Sequence, residues 1–192
     1  MSKKNDDEKI FFSNISNYAG WLRTSIIARH IAITELYKKT INLPGSIVEF
    51  GVWRGSTFFL LAKLIEIYNH SSYEPTGMSN KNLYGFDTFD GFRKIHFNDI
   101  TSIDHPEKKI GGLNFDSKIF FETLDHLKKE TLIEKRIHII EGDVSETWPK
   151  FRTNNPGIRL SFALLDMDLF KPTEIVLSDL KDVMTPGGVI VF

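Results

Sequence analysis

Acidic residues close four predicted strands of this 192-residue chain. Glu49, Asp87, Asp143 and Asp166 each stand at or just past the end of an apolar run. Because parallel strands end at one edge of a sheet, we expect the four carboxylates to line a single crevice. A carboxylate there can accept hydrogen bonds from the two neighbouring hydroxyls of a ribose. The alternative is that each acidic residue only begins a solvated loop, but the repetition over four strands favours a ligand site.

The first predicted strand runs directly into the turn Glu49–Ser56, which contains two glycines and leads into an apolar helix. Open α/β sheets bind ligands at such a turn, beside a helix N-terminus. A dinucleotide motif needs glycine where Trp53 stands and an acidic residue about 20 residues further on. Trp53 and the longer separation from Asp87 therefore disfavour NAD. A ligand without phosphates, such as S-adenosylmethionine, needs less room; its ribose would contact Asp87 and its adenine would lie near Asp143.

Alternating strands and helices must position these side chains. The pattern predicts strands at 47–51, 83–86, 137–141, 160–165 and 189–192, helices at 57–69, 116–131, 145–151 and 172–183, and a turn at 185–188. Such βαβ units predict an α/β fold: a doubly wound, Rossmann-like, mostly parallel sheet with helices on both faces.

Two further segments flank or interrupt this sheet. Residues 14–40 have helical spacing, which predicts an N-terminal helical segment, 1–43, before a ligand-binding domain at 44–192. Residues 88–115 form a long loop, and loops of this length are usually functional lids or disordered segments; the composition of this one fits either. Its His96 and His105 are candidates for contacting a substrate, whereas His30 and His138 are expected to be packing or surface residues.

The composition excludes several classes of protein. The chain is 41% hydrophobic and 26% charged, as in globular domains, and contains no cysteine for disulfides or thiolate metal sites. A net charge of −1 gives no reason to expect nucleic acid or an anionic membrane as a partner. The polar start lacks a signal-peptide core, and the most apolar helix is too short to span a bilayer. We therefore expect a cytoplasmic protein.

Four blocks of the sequence together resemble the macrocin O-methyltransferase family. They are 48–56 (VEFGVWRGS), 84–92 (YGFDTFDGF), 165–173 (LDMDLFKPT) and 186–188 (PGG). The family comprises class I S-adenosylmethionine-dependent enzymes that methylate sugar hydroxyls, and the resemblance covers residues 44–192. It implies S-adenosylmethionine and Mg²⁺ as cofactors and a sugar or glycoside as substrate. It also implies a homo-oligomer to which the segment before the first strand contributes.

The resemblance also implies roles for individual residues. Asp166 would be a magnesium ligand and Asp168 the general base. A sugar hydroxyl is a poor nucleophile, and a cation and a carboxylate can together remove its proton while the methyl group is held in line. The cofactor contacts that the resemblance implies are Glu49, Gly51, Ser56, Asp87 and Asp143. Gly55 and Trp53 of the same turn are further candidates, and Trp53 is expected either to cover the methionine end of the cofactor or to be a core aromatic residue.

The end of the sequence leads to a further expectation. In the family, the strand that matches 189–192 is followed by an acidic pair that completes the metal site, whereas this sequence stops at Phe192. We therefore expect either a fragment or a C-terminally truncated relative, without that pair, the last helix and two strands. Two other hypotheses remain: a non-catalytic remnant that keeps the cofactor crevice, and an NAD-dependent oxidoreductase.

Overall fold

The computed structural model describes residues 17–69, 81–100 and 106–192. The chain divides into two compact units, and the boundary between Glu35 and Leu36 falls inside a helix. Before the first strand lie helices α1, Tyr18–Trp21, and α2, Thr24–Lys38. The predicted single helix is therefore broken after Trp21, where Leu22 adopts an extended backbone. Residues 14–16 of that prediction lie outside the described ranges.

Five strands form one all-parallel sheet in the order β3-β2-β1-β4-β5. Their bounds are β1 Ser46–Phe50, β2 Leu83–Asp87, β3 Ile137–Glu141, β4 Leu160–Leu165 and β5 Met184–Val191. The chain builds outward from β1 to β3 and then returns to the other side of β1 with β4. The carboxyl ends of β1 and β4 thus flank the point where the winding reverses, which is where open α/β sheets bind ligands.

Helices cover both faces of the sheet, as predicted. They are α3 Ser56–Asn69, α4 Phe97–Ile100, α5 Lys118–Glu130, α6 Val144–Asn154 and α7 Phe170–Val183, with a 3₁₀ turn at Glu134–Arg136. Adjacent residues of β2 show the two faces. The Phe86 ring packs edge-on against Trp148 of α6, whereas a Cβ on Gly85 would lie 2.6 Å from the ring of Phe58 on α3.

Three predicted boundaries are corrected by the structure. α6 runs to Asn154 rather than ending at Phe151, although it contains Pro149. The segment predicted as a turn, 185–188, belongs to β5, and the sheet accommodates it by a register shift: Leu160 pairs with Met184, but Phe162 pairs with Val189. The long loop is not without structure, since it contains α4.

At the amino-terminal edge of the sheet, a buried lysine ties the entry of β1 to β4. The Lys81 ammonium donates hydrogen bonds to the carbonyl oxygens of Leu43 (2.6 Å) and Gly45 (3.2 Å) and to Ser161 Oγ (2.7 Å). Burial lowers the pKa of Lys81 to about 8. These contacts hold the start of β1 against β4 and so help to set the position of the carboxyl end of β1 in the sheet.

Candidate cofactor and acceptor site

Backbone hydrogen bonds tie the carboxyl ends of four neighbouring strands into one edge. The amide of Gly142 donates to the Asp87 carbonyl (2.8 Å), that of Gly51 to Phe86 (2.8 Å), and that of Asp166 to Phe50 (2.7 Å). These bonds join β3 to β2, β2 to β1, and β1 to β4. The predicted acidic strand ends therefore follow one another along a single edge.

Glu49 and Gly51 lie at the end of β1, in the middle of this edge. Glu49 is 1% exposed and stands in register with Gly85. Gly51 has φ 87°, and a Cβ there would lie 2.2 Å from the Asp166 carbonyl oxygen. A glycine is thus required because the backbones of the β1 turn and the β4 end are in direct contact. That contact sits at the winding reversal and shapes the floor of the crevice.

Asp87 organises the turns that follow β1 and β2. Its Oδ2 accepts a hydrogen bond from the Trp53 amide (2.7 Å), and its Oδ1 accepts one from the Phe89 amide (2.8 Å). An ionised carboxylate has about four acceptor positions, so two remain for the hydroxyls of a ligand. The sequence places Asp87 at a strand end, but it does not reveal that the same carboxylate holds the glycine turn in place.

Trp53 lies on the surface of this turn. Its side chain is 44% exposed, which is against the interpretation as a core aromatic residue. The indole N–H donates to the Leu113 carbonyl (3.2 Å), and the Arg54 guanidinium stacks over the ring at 4.8 Å. A glycine is needed at position 55 for packing, because a Cβ there would lie 2.5 Å from the Phe59 ring. The indole therefore connects the glycine turn to the long loop.

Two sets of contacts hold the long loop in place. Phe92 exchanges backbone hydrogen bonds with Gly111 (2.8 Å) and Gly112 (3.1 Å), which closes the loop at its base. Phe89 is buried and packs on Phe120 of α5 at 4.8 Å between ring centroids. That packing gives Phe89 a structural role at the start of the loop.

Four non-glycine residues of the described ranges have positive φ angles, and all four lie in turns or loops. They are Trp53 (48°), Phe89 (54°), Leu113 (56°) and Asp168 (58°). Three closely follow β1, β2 and β4, and Leu113 accepts the Trp53 indole bond. Strained backbone of this kind collects at ligand sites, where the surrounding contacts enforce it. The carboxyl edge is thus the strained part of the described chain.

Asp143 and Ser56 both stand at helix N-termini that face this edge. Asp143 is the N-cap of α6, and its Oδ1 accepts from the Ser145 amide (2.9 Å). Ser56 is the exposed first residue of α3. The cap gives Asp143 a structural role, and its predicted place beside adenine remains a prediction.

Comparison with known proteins places this site in a family. A sequence model described as Macrocin-O-methyltransferase (TylF) matches residues 28–192. The chain belongs to this family. Family membership supports the four-block resemblance and disfavours the NAD-dependent hypothesis.

Two curated relatives of this TylF-family chain are O-methyltransferases by name. One is the 8-demethyl-8-(2,3-dimethoxy-alpha-L-rhamnosyl)-tetracenomycin-C 4'-O-methyltransferase of Streptomyces olivaceus, 23% identical over 78% of this chain and 52% of that protein. The other is the Mycinamicin III 3''-O-methyltransferase of Micromonospora griseorubida, 25% identical over 77% of this chain and 54% of that protein. The chain thus spans about half the length of these relatives.

The fold is also that of a solved methyltransferase. The crystal structure of CalS11, a calicheamicin methyltransferase, is 28% identical, with a TM-score of 0.79 over 92% of this chain and 67% of that one. A second structure of CalS11, described as a TDP-rhamnose 3'-O-methyltransferase, superposes with a TM-score of 0.68. No helix within the described ranges is long and apolar enough to cross a membrane.

Asp166 and Asp168 lie in the short connection between β4 and α7. Asp166 directly follows β4, and Asp168 stands two residues further on, before α7. Asp168 lines a cleft of about 520 Å³ between the long loop and α7. Among residues 17–69, 81–100 and 106–192, no three His, Asp or Glu side chains lie close enough to hold a metal ion. The described residues therefore do not fit a complete magnesium site around Asp166.

Asp99 is a site residue that the sequence pattern did not single out. Its carboxylate is 5% exposed; Oδ1 accepts from the Phe170 amide (2.9 Å) and Oδ2 from the His96 amide (3.3 Å). It therefore caps α7 from 71 residues away, which compensates for the lack of a side-chain cap at Leu169. The sequence carries no standard capping-box signal for Asp99, because His96 and Asp99 stand where the box has Ser or Thr and Glu or Gln.

The candidate histidines fall into different places. His96 stacks on the Phe170 ring at 5.2 Å between centroids, and its Nδ1 accepts from the Asn98 amide (3.2 Å). His96 thus belongs to the wall beside the cleft. His105 lies outside the described residues. His138 stacks on Tyr84, and burial followed by the charge of Lys128 lowers its pKa, in keeping with a packing role.

Proposed function

We propose that this chain is an S-adenosylmethionine-dependent O-methyltransferase that acts on a sugar hydroxyl. The observation that carries the proposal is the Asp87 carboxylate, which stands at the end of β2 on the crevice edge and has acceptor positions left for a ribose diol. Family membership and the names of the relatives support the reaction class.

The crevice offers a place for each part of such a cofactor. Asp87 would accept the ribose hydroxyls, and Asp143 would lie on the adenine side, because β3 is the neighbour of β2. Because Gly51 has no side chain, the methionine portion would lie over the backbone contact between the ends of β1 and β4. Glu49, Trp53, Gly55 and Ser56 would shape the same turn.

The reaction needs only one proton transfer by the protein. The bound cofactor supplies a methyl group made electrophilic by its positively charged sulfur. As the acceptor oxygen takes up this methyl group, the bond from the methyl carbon to the cofactor sulfur would break, and the hydroxyl proton would pass to a base of the protein. Asp168 is the proposed general base, because it lines the cleft that opens beside the β4 end. No step is assigned to Mg²⁺.

Calorimetry with S-adenosylhomocysteine tests the cofactor assignment. Replacing Asp87 by Asn removes an ionised acceptor, and a hydrogen bond to a charged group contributes about 1.5–3 kcal/mol. We therefore expect affinity for S-adenosylhomocysteine to fall about 10- to 100-fold in Asp87→Asn. Asp182→Asn, an exposed acid near the C-terminal end of α7, is the matched control and should bind normally.

Two results would contradict the proposal. Unchanged affinity in Asp87→Asn would show that the ribose lies elsewhere, and binding of NAD in place of S-adenosylhomocysteine would exclude the methyltransferase assignment. Binding of S-adenosylhomocysteine without methyl transfer to any glycoside would instead indicate the non-catalytic, cofactor-binding alternative. Size-exclusion chromatography with light scattering would test the prediction of a homo-oligomer, and fractionation of cells the prediction of a cytoplasmic location.

A further inference from the structure

A cleft lies between the long loop and α7, next to the candidate base. Its volume, about 520 Å³, is within the range of small-molecule sites, about 300–1,000 Å³. The described residues that line it are Asn98, Asp99, Lys108, Asp168, Leu169, Phe170, Thr173, Glu174 and Leu177. The proposed function needs an acceptor site at Asp168, and Asp168 is one of the residues that line this cleft.

The walls of the cleft are fixed by hydrogen bonds. Asp99 joins α4 to the first turn of α7 through the Phe170 amide (2.9 Å). Thr173 Oγ1 donates to the Leu169 carbonyl (2.8 Å) on the α7 side. The loop base is closed by the bonds between Phe92 and the Gly111–Gly112 backbone. These bonds connect α4 to α7 and close the base of the long loop on the other side of the cleft.

The surface of the cleft combines an apolar wall with polar groups. Phe170 and Leu177 expose 42% and 40% of their surfaces, large fractions for apolar side chains. A pyranose ring presents a C–H face that packs on such a wall and hydroxyls that bond to amides and carboxylates. Asn98 and Asp168 supply such groups within the same cleft. This combination is typical of sites for small polar molecules.

The charges of the cleft distinguish between kinds of sugar. The described lining contains three acids, Asp99, Asp168 and Glu174, against one base, Lys108. Asp99 bonds to backbone amides, and Glu174 pairs with Lys171 on the surface of α7. A pyrophosphate in this cleft would approach three carboxylates, which are offset by Lys108 in the lining and by the Lys171 that pairs with Glu174. The carboxylates outnumber these cations, and bringing like charges together is costly.

We propose that this cleft is the acceptor site and that it selects an uncharged glycoside over a sugar attached to a nucleoside diphosphate. The inference rests on the proposed function, which supplies the reason for an acceptor beside Asp168. It separates this chain from CalS11, whose description names TDP-rhamnose, and groups it with the relative whose name gives a rhamnosyl tetracenomycin as the acceptor.

Amide chemical shifts of the ¹⁵N-labelled full chain test the proposal. The probes are methyl α-L-rhamnopyranoside and dTDP-L-rhamnose, each titrated with S-adenosylhomocysteine in excess so that the nucleotide cannot occupy the cofactor crevice. We expect the neutral glycoside to shift the amides of Asn98, Thr173 and Leu177. The nucleotide sugar should bind there about tenfold more weakly, because its phosphates meet the carboxylates.

A charge reversal provides the matched comparison. Glu174→Lys should raise the affinity for dTDP-L-rhamnose about tenfold relative to the affinity for the neutral glycoside. Glu134→Lys, in the 3₁₀ turn before β3, lies at the opposite edge of the sheet and should change neither. Both substitutions are on the exposed surface, so the fold should tolerate them.

The outcomes separate this inference from the proposed function. Equal or tighter binding of dTDP-L-rhamnose in the unmodified cleft, or glycoside shifts confined to other residues, would overturn the inference. If S-adenosylhomocysteine also binds and Asp87→Asn weakens it, the proposed function stands while the cleft assignment fails. If the glycoside shifts the cleft amides but S-adenosylhomocysteine does not bind, the cleft assignment stands and the proposed function fails.

Discussion

Raising the pH from 7.5 to 9.5 should stabilise the folded chain through Lys81. This side chain is 2% exposed, and its ammonium is held by two carbonyl oxygens and a hydroxyl, all uncharged. Burial lowers its pKa from 10.5 to about 8. In the window between these values the folded protein has released a proton that the unfolded chain still holds. The free energy of unfolding therefore rises with pH, because the unfolded state binds more protons.

The size of the effect follows from the two pKa values. One pKa unit corresponds to about 1.36 kcal/mol, so the gap between 10.5 and about 8 sets an upper limit of about 3 kcal/mol. Between pH 7.5 and 9.5 the same two values give a gain of at most about 2 kcal/mol. Tyr84 acts in the opposite direction only at higher pH, since burial raises its pKa above 10.0.

Urea unfolding at pH 7.5 and 9.5 measures this gain in the wild type and in Lys81→Met. The methionine variant should lose the Lys81-dependent part of the pH response, whatever its absolute stability. Subtracting the two responses removes the contributions of other titrating groups. Identical pH responses in the two proteins, or a larger gain in stability in the methionine variant, would refute the reasoning.

Two substitutions on the crevice edge have separable effects. Gly51→Ala should destabilise the fold by about 2 kcal/mol or more, because the left-handed region of the backbone is strained for alanine and the alanine Cβ would lie 2.2 Å from the Asp166 carbonyl oxygen. Gly157→Ala is the control, because a Cβ at Gly157 would enter open space. Thermal unfolding measures both, and equal stabilities would contradict the close contact. Asp143→Ala should lower stability by about 1 kcal/mol through loss of the α6 cap, and Asp143→Ser should restore it. If serine also restores affinity for S-adenosylhomocysteine, Asp143 acts only as a cap.

The sheet, and the edge at which its acidic strand ends lie together, were predictable because their signals are local. Apolar runs such as 160–165 have the length of a buried strand, and the structure has that strand at Leu160–Leu165. Alternation with helices then fixed the parallel order in which the carboxyl ends share an edge. The helix starts were predicted to within about two residues, since Ser56 and Asp143 are residues that favour helix N-termini.

The connections within the site were not predictable because they join distant residues. The bond from Trp53 to Asp87 spans 34 residues, that from Trp53 to Leu113 spans 60, and that from Phe170 to Asp99 spans 71. No periodicity or spacing encodes such pairs. Lys81 was missed for a related reason: its acceptors include Ser161, 80 residues away. A lysine in a loop before a strand otherwise looks solvated.

The strand order also dictates how the site comes together during synthesis. β1, β2 and β3 can pair as soon as residue 141 has emerged, whereas β1 must wait for β4, whose Leu160 pairs with Ser46. Contacts of such long sequence separation form slowly. The half of the crevice that carries Asp87 therefore exists before the half that carries Asp168. Until β4 arrives, one side of the most central strand is an open edge, and the nascent chain is most exposed to mispairing during that interval.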